Sequence, residues 1–168
     1  MEMTFHPVVS KQIAGTTLLV GLLLLAGGIL MLVLAWQSRG RGPASYALLS
    51  SGALTLLLFF GSAAFRIRSY EITPANLVIN FGLGRKLFPW SGLQDARIVE
   101  KPFAGGRREL GIGGLWCMYG LFSSPACGKF SAYAGSTASG VLLTWSDKKV
   151  LVTPDNPSLF LQSARAAK

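Results

Sequence analysis

Residues 13–36 read IAGTTLLVGLLLLAGGILMLVLAW, and residues 44–65 read ASYALLSSGALTLLLFFGSAAF. Neither run contains a charged side chain. At 1.5 Å rise per residue, 24 and 22 residues span roughly 36 and 33 Å as helices. A bilayer hydrocarbon core is about 30 Å thick, so each run is long enough to cross it with some tilt. Two such runs side by side in a chain of 168 residues predict a pair of membrane helices rather than buried helices of a soluble core. Lys11 and Val33-Leu34-Ala35 would serve as the basic start and small-residue cleavage site of a secretory signal. The first run is far longer than the ~7–15 apolar residues of such a signal, so it is read as a retained anchor.

Between the runs, Gln37 to Pro43 holds two Gly, one Pro, Arg39 and Arg41, the composition of a tight polar turn. The expected element is a helical hairpin with both ends on one side. Near the helix ends that side carries Lys11, Arg66 and Arg68, against Arg39 and Arg41 in the turn, with Arg85 and Lys86 at the edge of the relevant range. The excess of positive residues places the termini in the cytoplasm. Trp36 and Tyr46 flank the turn, where interfacial aromatics are expected. With no charge inside either run, an ion pathway or proton relay within the hairpin is not expected. There is no GxxxG, but Gly27-Gly28 and Ser50-Ser51-Gly52 allow close helix approach.

Composition agrees with an anchored chain. It is 51% hydrophobic and only 14% charged, where soluble domains carry about 25% charged residues. Two Cys exclude a disulfide-rich scaffold. The single His, His6, leaves no His-based metal site and no Ser-His-Asp triad in the body of the chain.

From Ser69 the texture changes to short apolar alternations broken by turn residues. Strands are expected at 70–72, 77–81, 85–90, 96–102, 128–134, 141–145 and 149–153, and no regular structure is assigned to the Gly-rich stretch 104–127. Asn156 is a good N-cap and Pro157 suits the first position of a closing helix, with Phe160, Ala164 and Ala167 on one face. The short connections favour antiparallel pairing. The domain assignment is thus an N-terminal segment at 1–12, a transmembrane hairpin at 13–68 and a β-rich domain at 69–168, large enough for one core. Its expected form is a seven-stranded antiparallel sandwich or barrel capped by a C-terminal helix.

Four strands, a Gly-rich connection, three strands and a terminal helix resemble the layout of the pleckstrin homology (PH) fold. The wording of 70–79 (YEITPANLVI), 88–93 (FPWSGL), 151–160 (LVTPDNPSLF) and Gly128-Lys129-Phe130 is similar to the bacterial PH-like domain family that follows a two-helix membrane hairpin. The resemblance covers roughly residues 46–166 and rests on turns and strand starts, so it speaks to fold more than to function. Together with the charge asymmetry of the helix ends, the expected location is the bacterial inner membrane, two-pass, with the termini and PH-like domain cytoplasmic. The resemblance carries over no catalytic residue and no cofactor. PH folds elsewhere bind phosphoinositides, peptides or protein surfaces.

Candidate chemistry is sparse. Cys117 and Cys127 are ten residues apart; pairing, free thiols and plain packing are all open from the sequence. Gly111-Ile112-Gly113-Gly114 lacks the third Gly of a dinucleotide fingerprint and the Lys-Ser/Thr of a P-loop. Asp95, Glu100 and Glu109 are the nearby carboxylates, and surface charge explains them. The chain from Ser69 onward has eleven Lys and Arg against six Asp and Glu, a net +5. Arg66, Arg68, Arg85, Lys86, Lys148 and Lys149 are candidate contacts for an anionic lipid surface. The basic residues are too scattered for a nucleic-acid site. Leu115, Trp116, Met118, Tyr119, Leu121 and Phe122 give the Gly-rich stretch an unusual apolar load. They are candidates for core packing, or for contact with a partner or the membrane. The expectation is a non-enzymatic scaffold or interaction protein without cofactor or metal. It would be an accessory subunit packed against other integral-membrane proteins, with an anionic-lipid sensor as the alternative.

Overall fold

The computed structural model describes residues 3–38 and 42–167, with every side chain in them except that of Ile112. The first apolar run forms α1 (Lys11–Gln37) and the second α2 (Pro43–Ser62), extended by a 3-10 turn at Ala63–Phe65. Ser10 caps α1, its Oγ accepting from the Ile13 N–H at 3.3 Å. Pro43 opens α2, where its missing N–H costs nothing. Arg39 and Arg41, which weigh in the charge argument, lie outside the described residues.

The two helices meet through small residues. A Cβ on Gly28 would come within 2.8 Å of Leu56 Cδ2, and one on Gly52 within 3.0 Å of the Gly28 carbonyl oxygen. The remaining surface is bare. Only 17% and 11% of the most apolar stretches of the two helices are buried within the molecule. Helices inside a soluble core would be mostly covered; these are long and apolar enough to cross a membrane.

After the hairpin come β2 (Ile67–Ile72), β3 (Asn76–Phe81), β4 (Arg85–Pro89), β5 (Leu93–Glu100), β6 (Arg107–Leu115), β7 (Cys117–Ser124), β8 (Gly128–Ala134), β9 (Ser139–Trp145), β10 (Lys149–Val152) and α3 (Pro157–Ala166). They form a PH-like domain of two sheets. One has the order β1-β2-β3-β4, where β1 is Met3–Phe5; the other has the order β5-β9-β10-β8-β7-β6. Three differences from the sequence reading follow. The stretch 104–127 is not irregular: most of it is the antiparallel pair β6–β7. Residues 3–5 add an edge strand, Met3 opposite Ile72 and Phe5 opposite Tyr70. Pairing is mixed, and the two sheets do not close into a barrel. β10 inserts between β9 and β8, antiparallel to the first and parallel to the second. The chain reverses from β8 to β9 and again from β9 to β10, so β8 and β10 run the same way and meet in parallel in the slot left between β8 and β9.

The main core lies between the sheets and under α3. It contains Tyr70, Leu77 and Ile79 from one sheet, Val141, Leu143 and Val152 from the other, and Phe160 from α3, all essentially inaccessible. The six-stranded sheet is buried on its second face too, where Leu142 and Leu151 join Phe122, Cys127 and Phe130. Burial on both faces explains the unbroken apolar runs Val141-Leu142-Leu143 and Val150-Leu151-Val152. α3 starts as the sequence predicts: Asn156 Oδ1 accepts from the Leu159 N–H at 3.0 Å, and Phe160 and Ala164 are buried. Phe160 packs edge-on against Phe5 at 5.1 Å, which draws the N-terminal strand into the core.

Candidate functional site

The β6–β7 turn joins the domain to the helices. Trp116 sits at its tip with φ +65°, a left-handed conformation unusual for a large side chain. Its backbone N–H donates to Thr17 Oγ1 of α1 at 2.9 Å, and the Thr17 hydroxyl donates to the Gly114 carbonyl at 3.4 Å. The indole Nε1–H donates to Ser62 Oγ at the end of α2 (2.9 Å), and the ring lies 6.0 Å from that of Phe59. Thr17 lies six residues into α1, about 9 Å along its axis. The tip therefore reaches past the start of the apolar segments and grips both helices.

The next residues lock the same junction. Cys117 is 1% exposed, and its thiol donates to the Phe65 carbonyl at 3.2 Å. Burial pushes the Cys117 thiol up to about 11, against a small opposing effect from a backbone hydrogen bond. Tyr119 stands between Phe65, Phe81 and Tyr133, with ring centres 5.5–5.6 Å away. Phe122 is buried and packs on Phe103 at 5.2 Å. Met118 packs partly buried on the second core, and Leu115 is half-buried. Leu121 is exposed at the margin, and Leu110, which the sequence reading passes over, is 75% exposed. Trp116, Tyr119 and Phe122 thus have partners within the molecule. Cys117 and Cys127 are both buried and unpaired.

The six basic candidates separate into groups. Arg66 and Arg68 sit exposed at the start of β2, just past the helices, beside His6. Lys86 and Lys148 share an aromatic row at the β4 edge. Lys86 Nζ donates to the Tyr133 hydroxyl at 2.8 Å, and Lys148 Nζ lies 5.9 Å from the ring centres of Phe88 and Trp145. The bond to Tyr133 raises the Lys86 pKa, against desolvation. Lys148 also pairs with Asp147 at 3.6 Å. Arg85 is exposed on β4, opposite Asn80. Lys149 turns away, donating to the Cys127 carbonyl at 2.9 Å.

Sequence reasoning missed Thr17, Phe59, Ser62 and Phe65 as the seat of the tip. The available signal was polar Thr17 and Ser62 near the same ends of two otherwise apolar runs. Among the described residues, no three His, Cys, Asp or Glu side chains gather where they could hold a metal ion. Residues 68–167 match the family model described as bacterial PH domain, more than half of the chain. No curated protein and no solved structure matches.

Proposed function

This chain belongs to the bacterial PH domain family, and from that premise we propose that it is a non-catalytic, membrane-anchored interaction protein. In this reading it is a small accessory or structural subunit of a larger bacterial integral-membrane complex, respiratory, photosynthetic or transport. It sits in the inner membrane with its termini and PH-like domain in the cytoplasm.

The observation that supports this reading best is the Trp116 junction. Hydrogen bonds to Thr17 and Ser62 hold the domain against both helices, so that it presents a surface at a fixed place above the bilayer. The bare faces of α1 and α2 are the surface available to another membrane protein. Affinity purification of the intact chain in mild detergent tests the proposal. A stoichiometric integral-membrane partner is expected; a lone monomer would contradict it. A C-terminal reporter fusion tests the sidedness.

A second reading, contact with anionic lipid, is favoured by the position of Arg66 and Arg68 directly after the helices. Basic groups there gain on the order of 1 kcal/mol each near an anionic leaflet. Salt-dependent flotation of the intact chain with anionic vesicles is its general test.

A further inference from the structure

Beside the Trp116 tip, an apolar groove of about 380 Å³ runs along α1. Leu18, Gly21, Leu22 and Leu25 form its floor, Phe59 and Trp116 its walls. The floor covers about 10 Å of helix length. Gly21 lets the Phe59 wall pack close against α1: a Cβ there would lie 3.1 Å from the Phe59 ring. At the domain end the groove meets a second cavity of about 540 Å³, bounded by His6, Arg66, Arg68 and Gly82. Val9 and Arg66 line both, so the two are neighbours with Arg66 at the junction. Among the described residues neither arginine is in an ion pair. On the same strand as Arg68, the Glu71 carboxylate accepts from Asn80 Nδ2 at 2.6 Å and from Ser69 Oγ at 3.4 Å, and the Asp155 backbone N–H donates to the His6 carbonyl at 2.8 Å. The Asp155 carboxylate accepts from the Asn156 N–H at 3.0 Å.

We propose that this is a binding site for one anionic phospholipid, its phosphate held by Arg66 and Arg68 and one acyl chain laid in the groove between α1 and Trp116. The chemistry at each end fits. Arginine forks pair with phosphate oxygens through two parallel hydrogen bonds. The groove is apolar over the length of α1 that lies next to hydrocarbon when the helix crosses a bilayer. Charge and apolarity fall in the order a lipid presents them, headgroup toward the domain and chain toward the helix. A peptide would not match a groove that opens into the bilayer. The site rests on the reading of α1 and α2 as membrane-spanning, and goes beyond surface attraction by fixing one lipid in one place.

The test uses the intact chain purified in neutral detergent and titrated with phosphatidylglycerol or phosphatidylcholine of identical acyl chains, with retained lipid counted by native mass spectrometry. One phosphatidylglycerol per chain is expected, retained about tenfold or more over phosphatidylcholine. Arg66→Ala together with Arg68→Ala brings it down to the phosphatidylcholine level. Leu22→Trp, at an exposed position on the groove floor, lowers retention of both lipids. Lys129→Ala, which removes an exposed cation paired with Glu109, leaves retention unchanged. Equal retention of the two lipids by the unaltered chain, or undiminished phosphatidylglycerol in the double arginine variant, would overturn the site. Sedimentation of each variant with membranes separates the two levels. Lost lipid selectivity with unchanged sedimentation concerns the arginines alone, whereas a chain that does not sediment overturns the anchor and the site together.

Discussion

The helical hairpin and the sheet domain are built from the same aliphatic residues and treat them in opposite ways. Leu18, Leu19, Leu22 and Leu23 of α1 are 59–68% exposed, while Leu142, Leu143 and Leu151 are at most 1% exposed. In the domain, apolar area removed from water is the main stabilising term, about 25 cal/mol per Å². In the hairpin, the apolar surface is left outward and calls for a solvent that is itself apolar. The difference shows that hydrophobicity alone does not locate a core; what matters is whether the chain supplies a second surface to cover it. The β6–β7 hairpin belongs to both regions, its base in the second core and its tip on the helices.

The sharpest way to break this contrast is to make one substitution in both regions. Leu143→Ala should cost about 2–5 kcal/mol, because it leaves a cavity between the sheets. Leu57→Ala on α2, where the side chain is 67% exposed, should stay within about 0.5 kcal/mol. Denaturant unfolding of the full chain in micelles reads both, and similar losses would end the distinction. Next in size is the helix contact. Gly28→Leu drives a side chain into Leu56 and should cost roughly 1–3 kcal/mol. Gly27→Leu, with nothing within 4 Å of its Cβ, should be close to neutral, and thermal unfolding compares the pair.

The junction comes third. Trp116→Ala should weaken it by on the order of 2 kcal/mol, with faster amide exchange at 114–117 but not in β9. Trp116→Phe keeps a ring against Phe59 and loses only the indole bond to Ser62, about 1 kcal/mol. Smallest at neutral pH is the Cys117 effect. Its pKa is raised from 9.0 to about 11 in the folded chain, so the folded state holds this proton more tightly than the unfolded one. Stability from this group is complete below pH 9 and is lost as the pH rises toward 11. Tyr70, also raised by burial, acts in the same direction. Cys117→Ala should flatten the lower part of that alkaline decline in a melting series; an unchanged profile would show that the thiol is not sheltered.

The long elements were legible because their signals are local. An uncharged run of 24 residues announces α1, and Asn156-Pro157 announces α3. Strands such as 77–81 and 128–134 show in the sequence because turn residues bound them. The β6–β7 pair was hidden by its glycines. Gly111 and Gly120 stand directly opposite each other with φ +121° and +131°, and a Cβ on either would strike the backbone of the other strand. Residues that usually signal a loop here permit a close strand pairing. β1 was hidden because three residues carry no period, and its pairing depends on β2, more than sixty residues away. The parallel β8–β10 register reflects which strands become neighbours, a property of the whole sheet that no short stretch encodes. At the junction, the aromatic load of 115–122 was visible, but its seat on Thr17 and Ser62 was not, since contacts so distant in sequence leave no local trace.

The claim on which the rest depends is that α1 and α2 lie in a bilayer with the domain fixed to their ends. Fractionation of cells expressing the intact chain, without detergent and through a high-salt wash, tests it most directly. The chain should stay with the membrane pellet and leave it only when detergent is added; recovery as a dispersed species in the detergent-free supernatant would contradict it.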